Sequence, residues 1–271
     1  MASNSQRKIS VMGIVNLTDD SFYAGSRMLS PGGGFDPVSF LERIDSMVSE
    51  GADILDLGAC STRPGSDSVD EGEEWKRLEP ALSLLTDYRP GIIISIDTFR
   101  PGVVSRAFDL IGPFIVNDVS GGCGEMWSLV GRLGLEYVAM HTRGTPADMQ
   151  SLTDYDDVTD AVVRFFDGIA ETAQKYGVEK WILDPGFGFA KTVDQNWQLL
   201  REMSVFKKFG KPVLAGLSRK SFLYKPLGIT PDEALPATMA ANMLALCAGA
   251  DILRVHDVAA ARKTVELYMD N

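Results

Sequence analysis

Lys180-Trp181-Ile182-Leu183-Asp184-Pro185-Gly186-Phe187-Gly188-Phe189-Ala190 decides the fold. A short apolar run delivers one carboxylate and then breaks: Trp181, Ile182 and Leu183 suit a strand buried on both faces, and Pro185 with two nearby glycines ends it. Asp184 is therefore expected at the C-terminal tip of a strand. Trp197, Leu199, Leu200, Met203 and Phe206 follow in a helical pattern, so the local unit is strand, polar tip, loop, helix.

The same unit recurs along the chain. Residues 9–15 read as a first strand with Asn16 at its tip, and the Gly- and Ser-rich stretch 19–34 is long enough to be functional. Val38, Leu41, Ile44 and Val48 recur at helical spacing before a second strand over 52–57, which carries Asp56 near its end. After a loop over 58–66, the acidic run Asp70-Glu71-Gly72-Glu73-Glu74 opens a helix through Leu85, where negative charge suits the positive end of the helix dipole. The β-branched run 92–96 has the composition of a parallel strand covered on both faces, and it ends in Asp97-Thr98. Strands over 114–116, 137–140, 212–217 and 252–253 end in Asn117-Asp118, His141, Ser218-Arg219-Lys220-Ser221 and Arg254-Val255-His256-Asp257, with helices over 158–176 and closing at Met269. About eight such units in 271 residues predict an α/β fold, the (β/α)8 TIM barrel, as a single domain over residues 1–271. In that fold the active site lies at the C-terminal strand ends. Those ends carry Asn16, Asp56, Asp97, Asn117, His141, Asp184, Lys220, Arg254 and His256.

The charge balance narrows the function. With 26 Lys+Arg against 37 Asp+Glu and a formal net charge of -11, the chain lacks the broad basic face that nucleic acid or an anionic membrane requires. No stretch approaches the ~20 apolar residues of a membrane span, so a cytoplasmic protein is expected. Cys60, Cys123 and Cys247 have neither C-x-x-C spacing nor a histidine partner set, which implies reduced thiols. Residues 234–250 are apolar on nearly every side, whereas an outer barrel helix needs a polar face, so a homodimer is expected.

At the strand ends, Asp97 and Asp184 can grip an N–H-rich ligand edge, although an Asp before Pro or Thr is equally at home in a turn or a helix cap. Arg63, Lys220, Arg254 and His256 can bind phosphate or carboxylate. Any one alone reads as surface charge, but four on separate loops at one barrel face do not. His141 is one of two histidines, and a lone histidine at a strand tip is more often a satisfied hydrogen-bonding group than a catalyst. Phe187 and Phe189 either stack on a flat ligand or cover the barrel mouth.

Taken in order, Met12-Gly13-Ile14-Val15-Asn16-Leu17-Thr18-Asp19-Asp20-Ser21-Phe22, Ser61-Thr62-Arg63-Pro64-Gly65, Asp97-Thr98, Asn117-Asp118-Val119-Ser120-Gly121-Gly122, Asp184-Pro185-Gly186-Phe187-Gly188-Phe189, Ser218-Arg219-Lys220-Ser221 and Arg254-Val255-His256-Asp257 resemble the dihydropteroate synthase family of pterin-binding barrels. The resemblance spans essentially the whole chain. It implies a transferase of folate biosynthesis that condenses 6-hydroxymethyl-7,8-dihydropterin diphosphate with 4-aminobenzoate, and a target of sulfonamides. It also implies pterin binding by Asp97, Asn117, Asp184 and Lys220 with Met140 lining the pocket. Asn16, Arg63, Arg254 and His256 match the positions for diphosphate and Mg²⁺, with Asn16 the metal ligand, and Thr62, Pro64, Phe189, Lys220 and Ser221 match the aminobenzoate pocket. Asp97, Lys220 and Arg254 are the implied catalytic set. The chain departs from the family pattern at Asp19, Cys60 and Arg100 and in the segment after Gly122. A pterin-dependent methyltransferase needs neither a diphosphate cluster nor Ser218-Arg219-Lys220-Ser221, and a non-catalytic relic would have lost its cationic tips.

Overall fold

A computed structural model describes residues 8–17, 35–60, 69–145 and 148–270. The expectations placed on Thr62, Arg63, Pro64, Asp19 and the rest of loop 19–34 lie outside those residues. The strands are β1 (Ser10–Asn16), β2 (Ile54–Gly58), β3 (Ile93–Asp97), β4 (Ile115–Asp118), β5 (Glu136–Met140), β6 (Trp181–Asp184), β7 (Leu214–Ala215) and β8 (Ile252–Val255). All pair in parallel, in the order β6-β5-β4-β3-β2-β1-β8-β7. A bridge between Leu183 and Val213 joins the two ends, with the Leu183 N–H donating to Pro212 O at 2.9 Å, and the sheet becomes a barrel. The helices α1 (Pro37–Ser49), α2 (Glu71–Tyr88), α3 (Pro101–Ile111), α4 (Gly124–Leu133), α5 (Val158–Tyr176), α6 (Val193–Glu202), the short α7 (Ser221–Tyr224), α8 (Leu235–Cys247) and α9 (Val258–Met269) alternate with the strands.

Side-chain alternation along each strand divides the apolar residues into two separate populations. Outward positions such as Val11, Val15, Leu55, Leu57, Ile96, Val116, Leu183 and Leu253 join the large cluster between strands and helices. Inward positions form a second cluster: Met12, Ile54, Ile115, Val138, Ile182, Leu214 and Ile252 fill the barrel axis. Two residues further along, the same inward columns continue as Ile14, Asp56, Asn117, Met140, Asp184 and Arg254. An apolar layer thus closes the barrel from below, and the polar strand tips lie directly above it.

The departures from expectation are local. β7 covers two residues instead of the expected 212–217, because Pro212 has no N–H to give and the Val213 N–H donates to Asp251 Oδ2 at 2.9 Å instead of to a strand neighbour. After Gly122 the chain starts α4, and Gly121 and Gly122 both take positive φ, 82° and 84°. A Cβ on Gly122 would stand 2.4 Å from Tyr137 Oη and 2.6 Å from Trp127 Nε1, so only glycine lets the loop settle there.

The axial layer supports the strand tips above it. Ile182→Ala, which opens a void below Asp184, is expected to destabilise the protein by roughly 2–5 kcal/mol, read as a lower midpoint in urea with an unchanged slope.

Candidate active site

Strand register brings the predicted residues together. Asn16, Gly58, Asp97 and Asn117 pair in one row across β1 to β4, and Met140 pairs with Asp184 across β5 and β6. Met140 is buried, and Asn16 is half-buried at the end of β1.

Asp56, with no solvent exposure, is the hub of one side of the mouth. It accepts from Ser95 Oγ at 2.6 Å, from Asn117 Nδ2 at 3.1 and 3.3 Å, and from Arg254 Nε at 2.7 Å. Arg254 Nη2 reaches on to Asp97 Oδ2 at 2.7 Å, so one guanidinium bridges two carboxylates. Burial pushes the Asp97 carboxyl up to about 7; Arg254 opposes the rise and Asp56 adds to it. The Arg254 guanidinium is held firmly charged, its two carboxylate partners outweighing its own burial.

The other side is a glycine turn. Asp184 ends β6, and its Oδ1 accepts the Gly186 N–H at 2.8 Å, so the turn-forming role foreseen for an Asp before Pro is present while the carboxylate still stands in the inward column. Burial raises its pKa, against the pull of that hydrogen bond, Lys220 and Arg254. Lys220 donates to Phe187 O, and its ammonium lies 4.3 Å from the centre of the Phe189 ring. Burial lowers it to about 8. The two phenylalanines divide their roles: Phe187 is buried and stacks on Phe222, whereas Phe189 is partly exposed under the lysine. Ser221 starts α7 directly after Lys220. His256 Nδ1 lies 3.0 Å from Ser218 Oγ, which also accepts the His256 N–H at 3.2 Å, tying the tip of β8 to the loop after β7.

Several working residues were not singled out as site residues in the sequence. Asp56 had a signal, being a carboxylate on an inward position of an otherwise apolar strand. Arg219 had none, because it reads as another surface cation. In the fold it takes φ 54° and forms a two-pronged bridge to Asp257, both contacts at 2.9 Å, which braces the Lys220 loop against the start of α9. Lys191 is buried at 4% exposure and packs against His141. His141 is pushed down to about 2 by burial and by Lys191 and Arg143, so it stays neutral and does not serve as a proton donor near pH 7. Arg100, one of the departures from the family pattern, is committed to the fully buried Glu74 and to Val69 O.

The donor set bears on Mg²⁺. Among the described residues no group of three or more His, Cys, Asp or Glu side chains is placed to hold a metal ion. The amide oxygen of Asn16 fits a Mg²⁺ that takes its remaining oxygens from phosphate and water, as an octahedral ion reluctant to dehydrate does.

A family model described as "Pterin binding enzyme" matches residues 12–256. The chain belongs to the pterin binding enzyme family. The dihydropteroate synthase of Synechocystis sp. is 42% identical over 256 residues, 92% of this chain and 86% of that one. The Thermus thermophilus dihydropteroate synthase solved in complex with 4-aminobenzoate is 37% identical with a TM-score of 0.85, over 97% of this chain and 94% of that one. The Yersinia pestis dihydropteroate synthase solved with a sulfonamide drug is 32% identical with a TM-score of 0.90, again over 97% and 94%. The barrel described above is therefore the fold of these dihydropteroate synthases.

The raised Asp97 pKa has a consequence for stability. Between its ordinary value of 3.8 and about 7, the folded protein keeps a proton on Asp97 that the unfolded chain has released. This group's contribution to stability is complete below the lower value and is lost as pH rises through the upper one. Asp97→Asn has no such proton, so urea unfolding across this range should show the wild type losing stability relative to the variant as pH rises; parallel curves would place the titration elsewhere.

Proposed function

We propose that the chain is a dihydropteroate synthase, joining 6-hydroxymethyl-7,8-dihydropterin diphosphate to 4-aminobenzoate and releasing diphosphate. The observation that carries this reading is the pairing of opposite charges around one opening, Asp97 with Arg254 on one side and Asp184 within the field of Lys220 on the other. The 2-amino-4-oxo edge of a pterin offers adjacent N–H donors, and Asp184 accepts them as a pair, with Asn117 and Met140 beside the ring. Phe189, Lys220 and Ser221 suit the aminobenzoate, its ring against the aromatic face of Phe189 and its carboxylate beside the Lys220 ammonium and the Ser221 hydroxyl.

The reaction breaks the bond between the pterin methylene carbon and the diphosphate oxygen, and the electron pair leaves with diphosphate. Arg63, Arg254 and His256 meet the negative charge that develops there, while Asp97 meets the positive charge on the carbon. The aminobenzoate nitrogen forms the new C–N bond and then gives up its extra proton to solvent water. An arylamine is already unprotonated near neutral pH, so the residues need only orient it, and no side-chain nucleophile or general base takes part. Bound through Asn16, Mg²⁺ supplies charge neutralisation at the leaving group.

A homodimer and a cytoplasmic setting complete the proposal. Pro236, Ala240, Leu244 and Cys247 line one exposed stripe of α8, with Leu244 50% exposed, and Leu267 on the adjoining α9 is 59% exposed. A second copy covering this stripe would remove it from water. The free thiols Cys60, Cys123 and Cys247 suit a reducing compartment.

Diphosphate release from the purified protein should require both substrates and be suppressed by a sulfonamide; no release with both present would refute the assignment. Asp184→Asn, which sets a donor against a donor, is expected to weaken pterin binding by roughly 1–3 kcal/mol in calorimetry while circular dichroism stays unchanged. Sedimentation should report a dimer at micromolar concentration, and Leu244→Glu should shift it to monomer.

A further inference from the structure

Lysine is a surface residue by habit, yet Lys191 is 4% exposed and has no salt-bridge partner among the described residues. Its ammonium instead serves neutral acceptors. Gly186 O lies at 2.9 Å, His141 Nδ1 at 3.0 Å, Phe189 O at 3.1 Å and His141 O at 3.5 Å. The charged groups that act on it are Asp184, which favours the ammonium, and Lys220 and Arg143, which oppose it. Burial lowers its pKa to about 7, a sign that the position costs the fold free energy.

The backbone goes out of its way to put the side chain there. Ala190 has φ 49°, a left-handed conformation that an alanine adopts at a cost, and the residue after it points into the gap between the tips of β5 and β6. Gly186, at φ 70°, presses so closely on β5 that a Cβ would stand 1.9 Å from His141 O. Carbonyl oxygens of Gly186, Phe189 and His141 converge in that gap, and one ammonium satisfies them. From the opposite side Lys220 donates to Phe187 O, and the Gly188 N–H donates to Asn196 Oδ1 at 2.7 Å. The turn between Asp184 and Phe189 is therefore held by one backbone bond, Phe189 N–H to Gly186 O at 3.1 Å, and otherwise by side chains.

We propose that Lys191 is a positioning residue for the substrate pocket: by fixing the Gly186–Phe189 turn against His141, it sets where Asp184 and Phe189 stand relative to the pterin and the aminobenzoate. The inference rests on the dihydropteroate synthase reading. If Lys191 served only to satisfy these carbonyls, an apolar side chain of similar length would lower stability and leave binding alone.

That contrast makes the test. Lys191→Met keeps the length of the side chain and removes every donor, and Lys191→Leu is a second variant of the same kind should the first fail to fold. Melting temperature, pterin affinity by calorimetry, and kcat and KM for aminobenzoate are measured for each, with Leu82→Ala in α2 as a control for general destabilisation. The expected result is a loss of about ten- to a hundredfold in pterin affinity and a raised KM for aminobenzoate, beyond what Leu82→Ala shows, with a lowered melting temperature because the Gly186, Phe189 and His141 acceptors lose their donor. Wild-type affinity and KM in the variants would overturn the inference, as would a loss no larger than that of a Leu82→Ala protein melting at the same temperature. A wild-type protein that does not bind the pterin at all would overturn the functional reading together with this one, whereas normal wild-type binding with unaffected variants overturns this one alone.

Discussion

Arg254 carries a guanidinium to the inner wall of a parallel barrel, and the mouth is built around keeping it there. Moving an ion out of water costs several kcal/mol unless partners replace the solvent. Asp56 and Asp97 do so from two neighbouring strands, and Asp56, itself out of solvent, needs the donors that Ser95 and Asn117 provide. Four strands are thereby tied through side chains at one level: β2, β3, β4 and β8. The same contacts that neutralise the arginine orient Asn117 and leave Asp97 shared, poised between its charged and neutral forms. An arrangement so dependent on mutual pairing cannot be altered at one residue without leaving another buried group unsatisfied.

The axial layer beneath makes this affordable. Ile54 and Asp56, Ile115 and Asn117, Ile182 and Asp184, and Ile252 and Arg254 occupy successive inward positions of their strands. Apolar contact and polar chemistry are thus stacked two residues apart along one axis, with no insertion or separate domain needed to bring them together. A one-residue slip in any strand would turn its polar tip into the helix-facing layer, so the packing that stabilises the barrel also enforces the geometry of the mouth.

The glycine turn after β6 shows a different solution. Its conformation is set by positive φ at Gly186, Gly188 and Ala190, and its carbonyls are satisfied by two lysines approaching from opposite sides. Turns without a ladder open easily unless side chains fasten them. Here the fastening groups are Lys191, Lys220 and Asn196, and two of the three come from the chain immediately following the turn.

Much of this was legible in the chain itself. Runs such as Trp181-Ile182-Leu183 specify buried parallel strands because apolar residues suit a sheet covered on both faces, and the polar residue closing the run marks the strand tip; the start of β3 departs from this, with Ile93 46% exposed where the composition of 92–96 predicted cover on both faces. Asn16, Asp56, Asp97, Asn117, His141, Asp184, Lys220, Arg254 and His256 could therefore be placed at strand ends from order and spacing, while their roles came from the family resemblance. Local sequence does not say which tip touches which, because that depends on register between strands far apart in the chain. The pairing of Arg254 with Asp56 and Asp97 spans 198 and 157 residues and exists only once the barrel closes. Nothing in the local sequence says that left-handed backbone at Ala190 and at Arg219 itself turns Lys191 and Arg219 inward, or that Arg100 pairs with Glu74. The elements and the candidate chemistry followed from residue type and period; burial and pairing of the charges were decided by tertiary structure, since the energy of a charge depends on what surrounds it and not on its place in the chain.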